Sequence, residues 1–149
     1  MAVVLVVGMA LSGCATAARG APTPSRDPHT VAALVRVARA FNRDYQENRD
    51  GLVYDRWDRA SQAIISRRDY VRRHRECPTT PGPATVEGAR ARAHGYWIVG
   101  YEIGGVALTD YWHYQDGRWV FNLARSNPSA VALYRLPFAA YARAVGCQP

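Results

Sequence analysis

Alternating apolar and polar residues between Gly95 and Ala124 predict three antiparallel strands joined by two tight turns. Gly104-Gly105 and Asp116-Gly117 interrupt the apolar runs, and both dipeptides suit two-residue hairpin loops, which require positive φ. Pairing residues outward from the first loop places Trp97 opposite Trp112, and pairing from the second keeps Trp112 on the same face. Because both hairpins give one register, the sheet is predicted to have one continuous aromatic face.

Asp110 is the one charged residue on this predicted aromatic face. The first hairpin places it opposite Val99, and the second places it opposite Leu123. The apolar and aromatic members of the face are Trp97, Val99, Tyr101, Ile103, Val106, Leu108, Trp112, Tyr114, Trp119, Phe121 and Leu123. The opposite face carries a mixed set that suits water or a partner: Tyr96, Ile98, Glu102, Thr109, Tyr111, His113, Arg118, Val120 and Asn122.

Helical periodicity precedes these strands. Thr30 is a candidate N-cap, and apolar residues recur at helical spacing from there to Tyr45. This first helix is predicted to end near Asn48, where Asp50-Gly51 supplies a break.

Shorter elements follow. Residues 52–57 suggest a second short helix, and Ser66 begins a third that stops before Pro78. The remaining predicted elements are a strand over residues 86–94, a turn or short helix at Asn127-Pro128 and a last helix over residues 137–145. The order of helices, then a strand and a meander, predicts an α+β fold in which the helices cover one face of a curved antiparallel sheet.

The apolar N-terminus predicts export. Residues 1–13 carry no charged side chain and are too short for a transmembrane helix. Leu11-Ser12-Gly13-Cys14 resembles the lipobox of bacterial lipoprotein signal peptides, which implies lipidation of Cys14 and an extracytoplasmic anchor in the bacterial cell membrane. The segment has no Lys or Arg before its apolar run, unlike the usual signal peptide, and a buried N-terminal strand is the alternative. Small and Pro-rich residues 14–29 then predict a flexible tether, with the domain at residues 30–149.

Export determines how the other two cysteines are interpreted. With Cys14 lipidated, Cys77 and Cys147 form an even pair, which outside the cytoplasm predicts a disulfide. Neither has a CxxC or a histidine at ligand spacing, so no metal site is expected. Motifs for nucleotides, metalloproteases and serine hydrolases (GxGxxG, a Walker lysine, HExxH, GxSxG) are absent, and no cofactor is expected.

The chain of 149 residues suffices for one domain with a modest core, and its net charge is +7. All 19 basic residues are arginine. In an exported protein we expect these arginines to lie on solvated helix faces, or to attract the protein to an anionic membrane surface or envelope polymer. Nucleic-acid binding is not expected.

Several features of the sequence resemble those of known protein groups. A long amphipathic helix, then residues 54–74 (YDRWDRASQAIISRRDYVRRH) and residues 109–121 (TDYWHYQDGRWVF), is similar to the NTF2-like superfamily over residues 30–124. LSGC, the cysteine pair and residues 126–129 (SNPS) resemble exported actinobacterial lipoproteins. The superfamily resemblance implies a cone of helices and sheet with a pocket at its open end. The superfamily includes isomerases, dehydratases, cyclases and non-enzymatic binding domains, so it does not select a function.

Asp110 is the sharpest candidate for chemistry. A carboxyl group on an apolar face is desolvated and its pKa is raised, as a general base or a neutral hydrogen-bond donor requires. The structural alternative is that Arg56 or Arg59, a tyrosine hydroxyl or a backbone N–H pairs with it.

Other candidates have plain structural alternatives. His113 is expected to face solvent or a partner, and His74 and His94 are expected at the surface. The candidate pocket residues, which are otherwise plain core, are Tyr54, Trp57, Tyr70, Trp97, Tyr101, Asp110, Trp112 and Trp119.

The sequence thus leaves three interpretations. The first is a lipid-anchored domain that binds a small apolar ligand or an envelope partner without catalysis. The second is an isomerase or dehydratase with Asp110 as base and Tyr54 or Tyr101 as polariser. The third is a homodimer formed through the mixed face of the sheet, at Tyr96, Ile98, Tyr111 and Val120. An open cavity that reaches Asp110, with no arginine on the carboxylate, would favour the enzyme.

Overall fold

The computed structural model describes residues 26–78 and 82–147. The predicted signal segment, Cys14 and residues 15–25 of the predicted tether lie outside these ranges. The helices are α1 (Val31–Gln46), α2 (Asp50–Asp55), α3 (Arg59–Gln62), α4 (Arg67–Glu76), α5 (Leu123–Ser126), α6 (Pro128–Tyr134) and α7 (Phe138–Ala144). The strands are β1 (Ala84–Ala91), β2 (Tyr96–Ile103), β3 (Val106–Gln115) and β4 (Arg118–Phe121).

The four strands form one antiparallel sheet in the order β1-β2-β3-β4, so the α+β class is confirmed. Both predicted hairpin registers are confirmed, with Trp97 opposite Trp112 and Val99 opposite Asp110. Positive φ angles at Gly104, Gly105, Asp116 and Gly117 produce the two turns.

Strand β4 is shorter than predicted. It ends at Phe121, and Leu123 begins α5, so the predicted cross-strand pair of Asp110 with Leu123 is wrong. The Asn122 side chain accepts a hydrogen bond from the backbone N–H of Arg125 at 2.9 Å and so caps a helix there. This N-cap competes with continued pairing, and the sequence pattern did not reveal it.

Two of the predicted helix starts are confirmed and one is wrong. Thr30 and Ser66 cap α1 and α4 as predicted, each accepting a hydrogen bond from a backbone N–H three residues on. Asp50-Gly51, predicted as a break, instead opens α2, and the reversal occurs at Asn48, which has a φ of 53°.

The first strand also lies earlier than predicted. It spans Ala84–Ala91, with a bulge between Val86 and Gly88, rather than residues 86–94. His94 stands in the following turn with a φ of 61° and is exposed.

The core lies between α1, α2, α4 and the aromatic face of the sheet. Trp112 and Trp119 are fully buried, and the Phe41 ring of α1 meets Trp112 edge-on at 5.2 Å between ring centroids. Burial of each such side chain stabilises the fold by roughly 1.5–3 kcal/mol. The helices do not cover the sheet near the β2–β3 turn, where Val106 is 58% exposed and Leu108 is 39% exposed.

The opposite face is less open than predicted. Ile98, Val120 and Asn122 are buried within the single chain, because α5 follows the sheet there and Tyr111 donates its N–H to the Ser126 hydroxyl at 2.8 Å. Tyr96 and Tyr111 of the proposed dimer face stay half-buried. A homodimer through this face stays a prediction.

Residues before Thr30, the predicted domain boundary, already pack against the domain. The Asp27 carboxylate accepts hydrogen bonds from Arg56 at 2.8 Å and from the Trp119 N–H at 3.0 Å. The Trp119 indole donates to the Pro28 carbonyl at 3.0 Å, and the His29 ring stacks on Tyr114 at 4.2 Å. Asp27 to His29, assigned to the tether by composition, therefore lie against the β3–β4 hairpin. Across residues 26–78 and 82–147, no helix has the length and apolar character needed to cross a bilayer.

Candidate functional site

A cavity of about 500 Å³ lies between the helices and the aromatic face of the sheet. Its lining residues come from helices α1, α2, α4, α5, α6 and α7 and from strands β2, β3 and β4. Its wall is rich in aromatic rings, which include Phe41, Trp57, Tyr70, Tyr101, Phe121 and Tyr134.

Asp110 provides the acidic group of this cavity. The residue is 6% exposed, and burial raises the pKa of its carboxyl group to about 7, although a hydrogen bond with Tyr101 partly opposes the rise. Burial and the neighbouring Asp110 charge together raise the pKa of Tyr101, so this hydroxyl stays protonated. The pair therefore places a titratable carboxyl group beside a hydroxyl donor.

No arginine among the described residues lines the cavity. The two candidates for pairing with Asp110 are engaged elsewhere: Arg56 contacts Asp27 at 2.8 Å and Arg59 contacts Asp116 at 2.9 Å. An arginine bridge from helix to sheet, one of the structural alternatives for this carboxyl group, is therefore not found among the described residues. The neighbouring group is instead the Tyr101 hydroxyl.

His74 also borders the cavity, contrary to the predicted surface position. It is 2% exposed, and burial lowers the pKa of its imidazole to about 4, so the ring is neutral near pH 7. Its Nε2 lies 2.9 Å from the Tyr134 hydroxyl, and its Nδ1 lies 3.5 Å from Oδ1 of Asp50. Burial likewise raises the pKa of Asp50, which weakens any ionic character of this contact.

Besides Nδ1 of His74, two polar groups on the cavity wall have no hydrogen-bond partner among the described residues. They are Nδ2 of Asn42 and Nε1 of Trp57, and both atoms are buried. Buried donors without partners are rare in folded proteins because each costs about 1–3 kcal/mol. Both can donate to an acceptor on a bound molecule.

The predicted pocket residues divide into two groups. Trp57, Tyr70, Tyr101 and Asp110 line the cavity, whereas Tyr54, Trp97, Trp112 and Trp119 do not.

The second group has structural contacts. The Tyr54 hydroxyl donates to the carbonyls of Gln62 and Ile65, so it is unavailable as a polariser. Trp97 packs edge-on against Trp119 with ring centroids 5.8 Å apart, and Trp112 is core.

A buried carboxylate, that of Asp58, and a half-buried imidazole, that of His113, form a pair outside the cavity lining. Nε2 of His113 is 3.0 Å from Oδ2 of Asp58, and Asn122 donates to the same oxygen at 2.6 Å. The imidazole is 23% exposed, so His113 does not simply face solvent as predicted. Asp58 and His113 are 55 residues apart, and no local spacing signals their contact. The one usable signal was that Asp58 precedes a short helix, where it accepts from the Ser61 N–H as an N-cap.

The C-terminal helices close one side of the cavity and are attached to α4. Arg73 donates to the carbonyl of Leu136 at 2.6 Å and lies over the Tyr141 ring at 4.7 Å. Cys77 and Cys147 lie at disulfide-bonding distance, with sulfurs 2.02 Å apart. These contacts hold α6 and α7 beside the cavity.

This arrangement offers a ligand apolar contact, hydrogen-bond donors and one carboxyl group that can exchange a proton near neutral pH. Within the described part of the chain, no group of three or more His, Cys, Asp or Glu side chains is placed to hold a metal ion. Comparisons with known protein families, with curated proteins and with solved structures find no match to this chain.

Proposed function

We propose that the protein binds a small, largely apolar ligand in the cavity between its helices and sheet. The observation that carries this proposal is an aromatic cavity of about 500 Å³ with a few buried polar groups. Ligand pockets typically occupy about 300–1,000 Å³ and combine apolar walls with a few polar groups. The partnerless Asn42 and Trp57 donors add support, because a ligand acceptor would satisfy them.

The binding test uses N-phenyl-1-naphthylamine, a neutral apolar dye whose emission rises in apolar surroundings. Ala130 lines the cavity from α6, and Ala132 is exposed on the same helix. We expect Ala130→Phe to fill the cavity and weaken dye binding about tenfold or more, whereas Ala132→Phe leaves it unchanged. Equal binding by both variants, or no binding by the parent chain, would contradict the proposal.

We also propose that this domain is NTF2-like and is held outside the cytoplasm by a lipidated Cys14. Helices that enclose a cavity against an antiparallel sheet support the first part, and the LSGC sequence supports the second. The test of the anchor is cell fractionation of Cys14→Ala, which should move to the soluble fraction, with Ser12→Ala as a control that stays in the membrane fraction. Membrane association of Cys14→Ala would count against lipidation.

A second candidate function is general base catalysis by Asp110. The observation that favours it is a cavity reaching a carboxyl group that no described arginine neutralises, next to the Tyr101 hydroxyl. The test is exchange of the α-protons of 2-tetralone for deuterium, followed by NMR. Catalysed exchange that disappears in Asp110→Asn, while dye binding persists, would support an enzyme of isomerase or dehydratase type. Unchanged exchange in that variant would exclude Asp110 as the base.

A further inference from the structure

The charge of the cavity differs from the charge of the chain around it. The chain carries net charge +7 and 19 arginines, yet the described cavity lining includes Asp110 and no arginine. The one histidine in the lining, His74, is neutral near pH 7 because burial lowers its pKa to about 4. The cavity is therefore an acidic, electron-rich compartment inside a basic protein.

Aromatic rings reinforce this character. Trp57, Tyr70 and Tyr134 form a cluster with centroid separations of 4.7, 5.5 and 6.0 Å, and all three border the cavity. The face of an aromatic ring attracts cations through its quadrupole, and groups of such rings recognise alkylammonium ligands.

Asp110 lacks the cationic partner that a buried carboxylate normally has. Its neighbour in the cavity lining is the Tyr101 hydroxyl, which carries no charge. A buried carboxylate is stable when a cation pairs with it, and nothing in the described lining provides one.

We propose that the ligand of the cavity is a hydrophobic cation, an amine or quaternary ammonium group on an apolar body, whose charge pairs with Asp110. This inference rests on the proposed binding function and specifies its ligand class. An anionic ligand such as a fatty acid is disfavoured, because it would meet Asp110 and no described arginine. Arg73 does not line the cavity, and its guanidinium is engaged by the Leu136 carbonyl and the Tyr141 ring.

Affinity for such a ligand depends on pH through the groups that border or back the cavity. These are Asp50 from α2, Tyr45 from α1, Tyr70 and His74 from α4, Tyr101 from β2, Tyr134 from α6 and Tyr141 from α7. Raised pKa values keep Tyr70, Tyr101 and Tyr134 protonated at neutral pH. Asp110, with a pKa of about 7, becomes negative as the pH rises, and any ionisation of Asp50 adds charge of the same sign.

The test compares three probes of one shape and different charge: 2-naphthylmethylamine, 2-naphthylmethanol and 2-naphthoate. Calorimetric titration at about pH 8 should give the amine an affinity about tenfold or more above that of the alcohol, and the carboxylate the weakest binding. At about pH 6, below the Asp110 pKa of about 7, the advantage of the amine should fall severalfold.

Asp110→Asn should abolish the preference for the amine while the alcohol still binds. Asp116→Asn is the matched control, because it removes the same charge from an exposed turn residue outside the cavity lining. If Asp110→Asn does not fold, the change in preference with pH in the parent chain decides the question.

The outcomes separate this inference from the function on which it rests. Binding of the alcohol as tight as that of the amine at about pH 8, above the pKa of Asp110, would overturn the charge preference and leave ligand binding intact. Preference retained in Asp110→Asn would overturn the role of that carboxylate. Failure of all three probes and of the neutral dye would contradict both proposals.

Discussion

The imidazole Nε2 of His113 lies 3.0 Å from Oδ2 of Asp58, joining strand β3 to the start of α3. Asn122 donates to the same carboxylate at 2.6 Å, and the Ser61 N–H donates to its other oxygen at 2.7 Å. Burial alone would raise the pKa of Asp58, but the hydrogen bonds from Ser61, Asn122 and His113 outweigh it and lower the pKa. This carboxylate is therefore held ionised at the junction of helices and sheet.

Replacing Asp58 with Ala should reduce the free energy of unfolding by about 2–4 kcal/mol, because it removes an N-cap and leaves buried donors unpaired. The measurement is urea denaturation near neutral pH. Asp55→Ala is the control, since Asp55 pairs with Arg67 in an exposed contact worth about 1 kcal/mol or less. Equal losses in the two variants would show that the Asp58 contacts are not structural.

His74 predicts a loss of stability on acidification. Its folded pKa of about 4 lies below its ordinary value of 6.5, so the unfolded chain binds more protons between these values and stability rises with pH across that window. Relative to His74→Gln, the parent chain should lose about 3 kcal/mol as the pH falls from 6.5 to 4. Denaturation of both proteins across this range checks it, and parallel pH profiles would contradict a buried neutral imidazole.

Asp110 predicts the opposite slope. Its folded pKa of about 7 exceeds the ordinary value of 3.8, so the folded state binds more protons and its stability falls as the pH rises between them. Relative to Asp110→Asn, the parent chain should lose up to about 4 kcal/mol across that interval. Direct titration of the carboxyl group by carbon-detected NMR is an independent readout, and an ordinary pKa there would refute burial of the charge.

Asp27 predicts that the segment before α1 contributes to stability. Asp27→Ala removes the acceptor for Arg56 and for the Trp119 N–H, and should cost about 1–3 kcal/mol. Asp44→Ala, which removes a carboxylate from the more exposed Arg49, should cost less than about 1 kcal/mol. Equal losses of unfolding free energy in Asp27→Ala and Asp44→Ala would contradict this role, and residues 27–29 would then belong to the tether.

Because Cys77 and Cys147 lie at disulfide-bonding distance, we expect reductant to lower the free energy of unfolding. A bridge across 70 residues constrains the unfolded chain and should stabilise the fold by roughly 4–4.5 kcal/mol on the chain-entropy model. Urea denaturation with and without reductant measures this, and Cys77→Ser with Cys147→Ser should reproduce the reduced protein. A free thiol on the exported, untreated protein, detected by intact mass after alkylation, would exclude the bridge.

The two β-hairpins could be predicted from the sequence because their determinants are local. Gly104-Gly105 and Asp116-Gly117 adopt the positive φ that their turns require, and side chains alternate strictly outward from each turn. The burial of Asp110 followed from this parity. Capping residues Thr30 and Ser66 fixed two helix starts for the same local reason.

The rest depends on contacts between distant residues. His74 was predicted to lie at the surface of a basic helix, and it is buried because Tyr134, 60 residues later, packs over it. Arg56 and Arg59 were reasonable partners for Asp110 by sign of charge, yet Asp27 and Asp116 bind them instead. Composition likewise assigned Asp27 to the tether, because hydrophobic periodicity does not reveal a single carboxylate that accepts several hydrogen bonds.

Of the four tryptophans, all in the described part of the chain, Trp57 alone borders the cavity. Its indole nitrogen, like that of Trp112, has no hydrogen-bond partner among the described residues, but Trp112 and Trp119 do not line the cavity. Indole fluorescence shifts in colour and intensity when the local polarity changes. The protein thus contains its own optical reporter, and occupancy of the cavity can be followed without attaching any label.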